Sequence, residues 1–101
     1  MNTDVLIVGS GCSGLYCALM LPRDVRIILI TKSDLESNDS YLAQGGMCML
    51  KEQSDFDSFF EDTLKAGHYE NDRESVGIMI NSSPEVVKDL VSYGADFARN
   101  D

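Results

Sequence analysis

Basic residues are scarce in this chain. Eight Lys and Arg stand against 17 Asp and Glu, for a formal net charge of −9. Such a surface repels phosphates, which argues against nucleic acid and anionic membranes as partners. The cysteines are few and odd in number: Cys12, Cys17 and Cys48, with no C-x-x-C spacing. Neither a disulfide framework nor a zinc site is expected from them. Cys17 and Cys48 read as small buried residues. Histidine occurs once, at His68, so no Ser-His-Asp or Cys-His arrangement can be assembled by proximity in sequence. No stretch is long and apolar enough to cross a membrane. The residues after Met1 lack the basic region of a signal peptide, so a cytoplasmic location is the default. There is no internal repeat and no low-complexity tract. With 101 residues the prior is one domain. That is short for an enzyme holding both a dinucleotide and a substrate. The run Arg99-Asn100-Asp101 follows a helix with no closing element, and the chain is expected to be the first part of a larger fold.

What is present begins with an apolar run, residues 4–8, followed by Gly9, Gly11 and Gly14 in G-x-G-x-x-G spacing. The run does not alternate and reads as a fully buried strand. Gly9 allows a tight strand-to-helix turn, Gly11 lets a pyrophosphate approach the backbone, and Gly14 lets the helix press on the strand. A helix over residues 12–21 would then offer free N–H groups and a partial positive charge to phosphates. A glycine-rich turn that binds nothing is the plainer alternative. Cys12 sits where a thiolate can be stabilised, though a small side chain beside phosphates explains it more simply.

Pro22 stops this helix, and residues 25–30 form a second β-branched run. Strand, helix and strand within about thirty residues make a βαβ unit with a parallel sheet. Residues 32–46 form a long polar loop that ends in Gly45 and Gly46, and loops of such length are usually functional or disordered. Tyr41, Leu42 and Ala43 argue against disorder. Ser54 is expected to cap a helix with one apolar face: Phe56, Phe59, Phe60, Thr63 and Leu64. Gly67 ends it. Asp55, Asp57, Glu61 and Asp62 on its polar side read as a solvated face, and no metal site is expected. Asp72 is expected to cap a further helix carrying Val76, Ile78, Met79 and Ile80. Ser83 then caps a third, with Pro84 at its first position. Val86, Val87, Leu90 and Val91 form its buried face, and Gly94 closes it.

A dinucleotide site of this kind usually carries an acidic residue at the end of the second strand, for the adenosine ribose. Here that place holds Thr31 and Lys32. Lys32 can favour a 2′-phosphate, as in NADP, can contact other phosphates, or can lie in solvent. Spacing does not choose among these.

The segment from Ser40 through Tyr41, Leu42, Ala43, Gln44, Gly45 and Gly46, placed after a strand ending at Lys32, resembles the flavoproteins of the succinate dehydrogenase and fumarate reductase family. Residues 4–11, residues 61–67, Asp72, Pro84, Leu90 and residues 94–97 continue the resemblance over essentially the whole chain. It implies FAD as cofactor and an α/β fold. The expected organisation is the N-terminal βαβ of a Rossmann-like FAD-binding domain (residues 4–31), a cofactor loop (32–46) and a helical part (54–94), together a partial domain of a larger fold. By the same resemblance, Gly9, Ser10, Gly11, Cys12, Ser13 and Gly14 lie along the FAD pyrophosphate. Lys32 lies near the adenosine end. Asp39 to Gly46 wrap the cofactor toward the isoalloxazine.

Covalent members of the family carry a histidine where this chain has Asp39, so FAD is expected to be held non-covalently. The family's cysteine before Asp72 is replaced by Asn71. Within the family the chain resembles the branch that oxidises L-aspartate to iminoaspartate, feeding quinolinate formation in NAD biosynthesis, with quinolinate synthase as a possible partner. A soluble fumarate-reducing flavoprotein and a truncated, non-catalytic nucleotide-binding module are the alternatives. The groups that bind the substrate carboxylates in the family have no counterparts here, so no catalytic residue is assigned.

Overall fold

The computed structural model describes residues 1–98, and the Arg99–Asp101 end lies outside the described residues. The chain divides into two compact units, residues 1–45 and residue 46 onward.

In the first unit, β1 (Val5–Val8), α1 (Cys12–Met20) and β2 (Ile27–Ile30) form the expected βαβ. The strands pair in parallel, with Val5 opposite Ile27 and Val8 opposite Ile30. The Gly9 N–H extends the ladder by donating to the Ile30 carbonyl at 2.8 Å. At the other end Asp4 grips Arg26 through three contacts. Its Oδ2 accepts from the Arg26 backbone N–H and Nε, and its Oδ1 accepts from Nη2, at 2.9, 3.0 and 2.9 Å. The guanidinium beside it holds the Asp4 carboxyl below the usual value, and the carboxylate raises Arg26 in turn.

Both boundary differences in this unit have local causes. α1 stops at Met20 because Leu21 is extended (φ −73°, ψ 149°), as the residue before a proline is driven to be. β2 starts at Ile27 and not Val25, because the Val25 N–H closes the turn onto the Pro22 carbonyl at 3.1 Å. A third difference concerns burial. β1 is not buried on both faces: Ile7 is 8% exposed, but Leu6 and Val8 are 56% and 76% exposed. α1 covers only the face that carries Ile7. The short helix α2 (Asp39–Leu42) interrupts the long loop, capped by Asn38. Cys17 and Cys48 are exposed, not buried as their size suggested. Cys17 lies on the outer side of α1, and Cys48 lies in extended chain before the second unit's core.

The second unit is a helical hairpin of α3 (Phe56–Ala66) and α4 (Arg73–Ser92). Leu50, Leu64, Val76 and Ile80 form its core, with Phe56, Phe59 and Phe60 packed against them. The expected apolar face of α3 is thus the core face. Phe56 and Phe60 stack at 5.5 Å between ring centroids, and the Arg73 guanidinium lies 5.3 Å above the Phe60 ring. Ser54 does not cap α3. It sits inside a 3-10 turn, Gln53–Asp55, and its hydroxyl turns to Glu52 at 3.4 Å. That turn supplies the first turn's order in place of a side-chain cap.

Gly67 does end α3, but by size and not by a left-handed backbone. A Cβ there would fall 2.3 Å from Asn71 Oδ1, whereas the left-handed residues are His68 and Tyr69. The Tyr69 N–H then donates to the Leu64 carbonyl at 2.8 Å. Asp72 caps α4 as expected, its Oδ1 accepting from the Ser75 N–H at 2.7 Å.

The two helices expected after Asp72 are one. α4 runs through Pro84 without a break. Pro84 has no N–H for the Ile80 carbonyl, and the Ser83 hydroxyl donates to that carbonyl at 2.7 Å instead. Ser83 is therefore a mid-helix substitute for the missing donor and not a cap. Gly94 closes α4 at φ +104°, and the Ala95 N–H returns to the Leu90 carbonyl at 3.0 Å. Val86, Val87 and Leu90 are half-buried and Val91 is exposed.

Candidate functional site

The candidate site is a cleft of about 560 Å³ in the first unit, within the range of about 300–1,000 Å³ of small-molecule sites. It opens where β1 and β2 end, the side of a parallel sheet on which ligands bind. It is lined by Val8, Gly9, Ser10 and Gly11 from the glycine turn, by Ile30, Thr31 and Lys32 from the end of β2, and by Ser37, Asn38 and Asp39 from the loop that follows. Lys32 is the only cation among the described residues that line it.

The three glycines have separate causes. Gly9 holds φ +114°, a backbone that side chains rarely adopt. A Cβ on Gly14 would stand 2.3 Å from the Gly9 carbonyl oxygen and 3.2 Å from Ile7 Cγ2, so only glycine lets α1 lie this close to the turn. A Cβ on Gly11 would stand 3.3 Å from Ser40 Oγ. That hydroxyl accepts the Cys12 N–H at 2.9 Å, so α2 contributes a side chain at the N-terminus of α1. Ser13 and Gly14 follow in the first turn, where N–H groups have no acceptor within the helix.

Ser10 is placed differently from its neighbours. It is 3% exposed, and its hydroxyl donates to the Leu35 carbonyl at 3.1 Å. Its side chain is thus committed to the protein's own hydrogen bonds. Tyr41 and Leu42 are 63% and 72% exposed and line a second open hollow together with residues 34–39. Ala43, Gln44 and Gly45 are exposed and are not among the residues lining the cleft. Gly46 begins the second unit. The structure thus gathers Gly9, Ser10, Gly11, Lys32 and Asp39 at one cleft. Cys12 and Ser40 meet at the start of α1, while residues 41–45 are not among the residues that line the cleft. Asn38, Thr31 and Ser37 were not anticipated. For Asn38 a signal existed: an Asn immediately before Asp39 is a good helix N-cap.

Among the described residues no group of three or more His, Cys, Asp or Glu could hold a metal ion, and no helix is long and apolar enough to cross a membrane. Gly9 and Gly14 cannot carry side chains without clash or strain, and the Gly9–Gly11 turn lines a ligand-sized cleft together with a lysine. These are the requirements of a dinucleotide's diphosphate, and they define a nucleotide-binding α/β module.

Comparison with known proteins specifies the nucleotide. Residues 4–101 match the family described as FAD binding domain, and the chain belongs to that family. It is 45% identical over 98 residues to an L-aspartate oxidase of Clostridium perfringens, covering 97% of this chain and 22% of the relative. It is 41% identical over 101 residues to the L-aspartate oxidase of Clostridium acetobutylicum, covering 100% and 23%. It is 41% identical over 98 residues to that of Synechocystis, covering 96% and 18%. The chain spans about a fifth of the length of these relatives. No solved structure gives a significant match. FAD is the cofactor of this module, and the second strand's Lys32, in place of an acidic residue, does not indicate NADP.

Proposed function

We propose that this chain is the FAD-binding part of an L-aspartate oxidase, which converts L-aspartate to iminoaspartate for quinolinate and NAD biosynthesis. The observation that carries this reading is the cleft between the Gly9–Gly11 turn and Asp39, in a chain 45% identical to an L-aspartate oxidase over nearly its whole length. FAD, when bound, supplies the acceptor for the hydride leaving the aspartate α-carbon. The chain's own residues hold it. The first-turn N–H groups of α1, at Ser13 and Gly14, meet the diphosphate, with the helix dipole in support. Lys32, in the lining of the cleft, offsets phosphate charge near the adenosine end. Ser40, already on the Cys12 N–H, has a hydroxyl proton to donate to a phosphate oxygen. By the family resemblance, residues 39–46 wrap the cofactor toward the isoalloxazine, their backbone donors, other than the Tyr41 N–H that Asn38 already takes, fixing the ring and tuning its electronics. Asp39 is a carboxylate and not an imidazole, so the flavin is held non-covalently. No residue of this chain is assigned to the substrate. Quinolinate synthase, which uses iminoaspartate, is the natural partner of such an enzyme.

The test is a titration with FAD, with NAD and NADP as controls, in wild type and Gly11→Val. FAD-selective binding weakened by the added side chain supports the reading. Acid precipitation is expected to release the flavin into the supernatant. In the longer protein, flavin reduction by L-aspartate is expected. Fumarate reduction without aspartate oxidation would overturn the assignment in favour of a fumarate reductase-type flavoprotein. Absence of any flavin turnover would favour a non-catalytic module.

A further inference from the structure

We propose that Asn38 is a positioning residue for the FAD cleft: its side-chain amide ties residues 35–41 to the glycine turn and so fixes the width of the cleft before the cofactor arrives. This rests on the FAD-binding reading above.

The amide uses both of its ends. Its Oδ1 accepts the Tyr41 N–H at 3.0 Å, which caps α2. Its Nδ2 donates to the Leu35 carbonyl at 2.7 Å and approaches the Ser10 carbonyl and hydroxyl at 3.3 and 3.4 Å. Ser10 completes the tie from the other side, its buried hydroxyl reaching the Leu35 carbonyl. Leu35 and Asn38 are 25 and 28 residues from Ser10 in sequence, so these bonds hold together two segments that the chain alone would leave free. Ser10 is the only buried polar residue among the described residues, which marks the tie as a built feature. Gly9–Gly11 and Ser37–Asp39 both line the cleft. Loosening the tie therefore frees one of these lining walls from the other. Ordering that wall would then be deferred to the binding event and would weaken it. Asn38 does not need to touch FAD for this effect.

Two variants separate the roles of the amide. Asn38→Ser keeps an N-cap oxygen for Tyr41, since Ser caps as well as Asn, but its hydroxyl is too short to reach Ser10. Asn38→Asp keeps size and cap but has no donor, and sets a carboxylate against the Leu35 and Ser10 carbonyls. In the full chain, the FAD dissociation constant is expected to rise about tenfold in each, the effect of leaving the acceptors of the buried Ser10 without their partly buried donor. Thermal melts report that the variants fold. Acidification from about pH 8 to about pH 5 is expected to tighten FAD binding to Asn38→Asp relative to wild type, because the neighbouring acceptors favour protonation, which restores one O–H donor. Asp34, Glu36, Asp39 and Lys32 are the charged groups of the same loop and are present in both proteins, so comparison with wild type isolates position 38. A purely structural defect would not recover with acid. If both variants bind FAD like wild type, the proposal is overturned while FAD binding stands. If Asn38→Asp does not fold, Asn38→Ser decides alone. If the wild type itself fails to bind FAD, the reading on which the proposal rests falls with it.

Discussion

Single atoms decide the glycine turn. Gly14 is required because a methyl group there would meet the Gly9 carbonyl oxygen at 2.3 Å, and that oxygen is backbone and cannot step aside. Gly14→Ala is therefore expected to destabilise the first unit by about 1–3 kcal/mol, an overpacking effect, and to weaken FAD binding. Chemical denaturation followed by circular dichroism measures the first effect, flavin fluorescence the second. Gly77 is the contrast. It lies inside α4, and a methyl group added there would find nothing within 4 Å. Gly77→Ala is expected to stabilise the protein by about 1 kcal/mol through helix propensity alone. Asp72 gives the residue-scale pH dependence. Hydrogen bonds from Ser75, the backbone N–H first, hold its carboxyl below the ordinary value of 3.8, with desolvation opposing. The folded state thus takes up this proton less readily than the unfolded chain. The cap's contribution is complete above about pH 5 and is lost as pH falls through the lowered folded value. Asp72→Asn retains a capping oxygen without the titration. The stability difference between wild type and Asp72→Asn should be constant from about pH 5 to 7 and shrink on further acidification. A difference that stays flat throughout would show that Asp72 does not titrate with folding.

At the scale of elements, α4 shows how a helix survives a proline. Pro84 leaves the Ile80 carbonyl without its donor, and Ser83 supplies a hydroxyl at 2.7 Å. The same Oγ accepts the Leu50 N–H at 2.9 Å, so one side chain serves both the helix and the segment that brings Leu50 into the core. Ser83→Ala would leave a carbonyl and an N–H unsatisfied at partly buried positions. The expected loss is about 2–3 kcal/mol, measured by urea denaturation, and much larger than a surface Ser→Ala change. This helix also marks where reading the sequence stops. Ser83 before Pro84 is a good local signal for a helix start, and it misleads because its hydroxyl turns back to the Ile80 carbonyl and also takes the Leu50 N–H, 33 residues away. Ser54 misleads similarly, since its neighbour Glu52 draws the hydroxyl away from the capping position. The roles of Gly9 and Gly14, the Asp72 cap and the Phe face of α3 are legible because each is signalled by residues within a few positions, and the βαβ unit because its two apolar runs and the helix between them follow directly in sequence. The exposure of Leu6 and Val8 is not, because apolarity specifies a preference for burial and not the presence of a cover. Asn38 is half legible. Its capping of Tyr41 is local, whereas its reach to Ser10 requires the fold.

For the molecule as a whole, the two units differ in what holds them. The second has four buried apolar residues, Leu50, Leu64, Val76 and Ile80, two of them no more than 1% exposed. The first has one, Ile7, and otherwise relies on a four-residue parallel ladder, the Asp4–Arg26 pair and the polar tie around Ser10. Exposed ion pairs contribute little, and a ladder of two strands is marginal without more apolar cover. The cofactor cleft belongs to the weaker unit. Cofactor binding should therefore be coupled to order there, since a ligand that binds only the folded form stabilises it by about 2.7 kcal/mol at a hundredfold excess over its dissociation constant. Hydrogen exchange read by mass spectrometry tests this. Without FAD, amides of β1 and β2 are expected to exchange faster than those in the middle of α3 and α4. With saturating FAD, protection should rise at residues 8–14 and 31–40 and change least along α4. Equal protection of both units without cofactor would mean that the ladder and the polar tie contribute far more than their buried area indicates. Protection gained chiefly in α3 and α4 would place the flavin's main contacts away from the glycine turn, and the cleft would lose its role as the cofactor's principal hold.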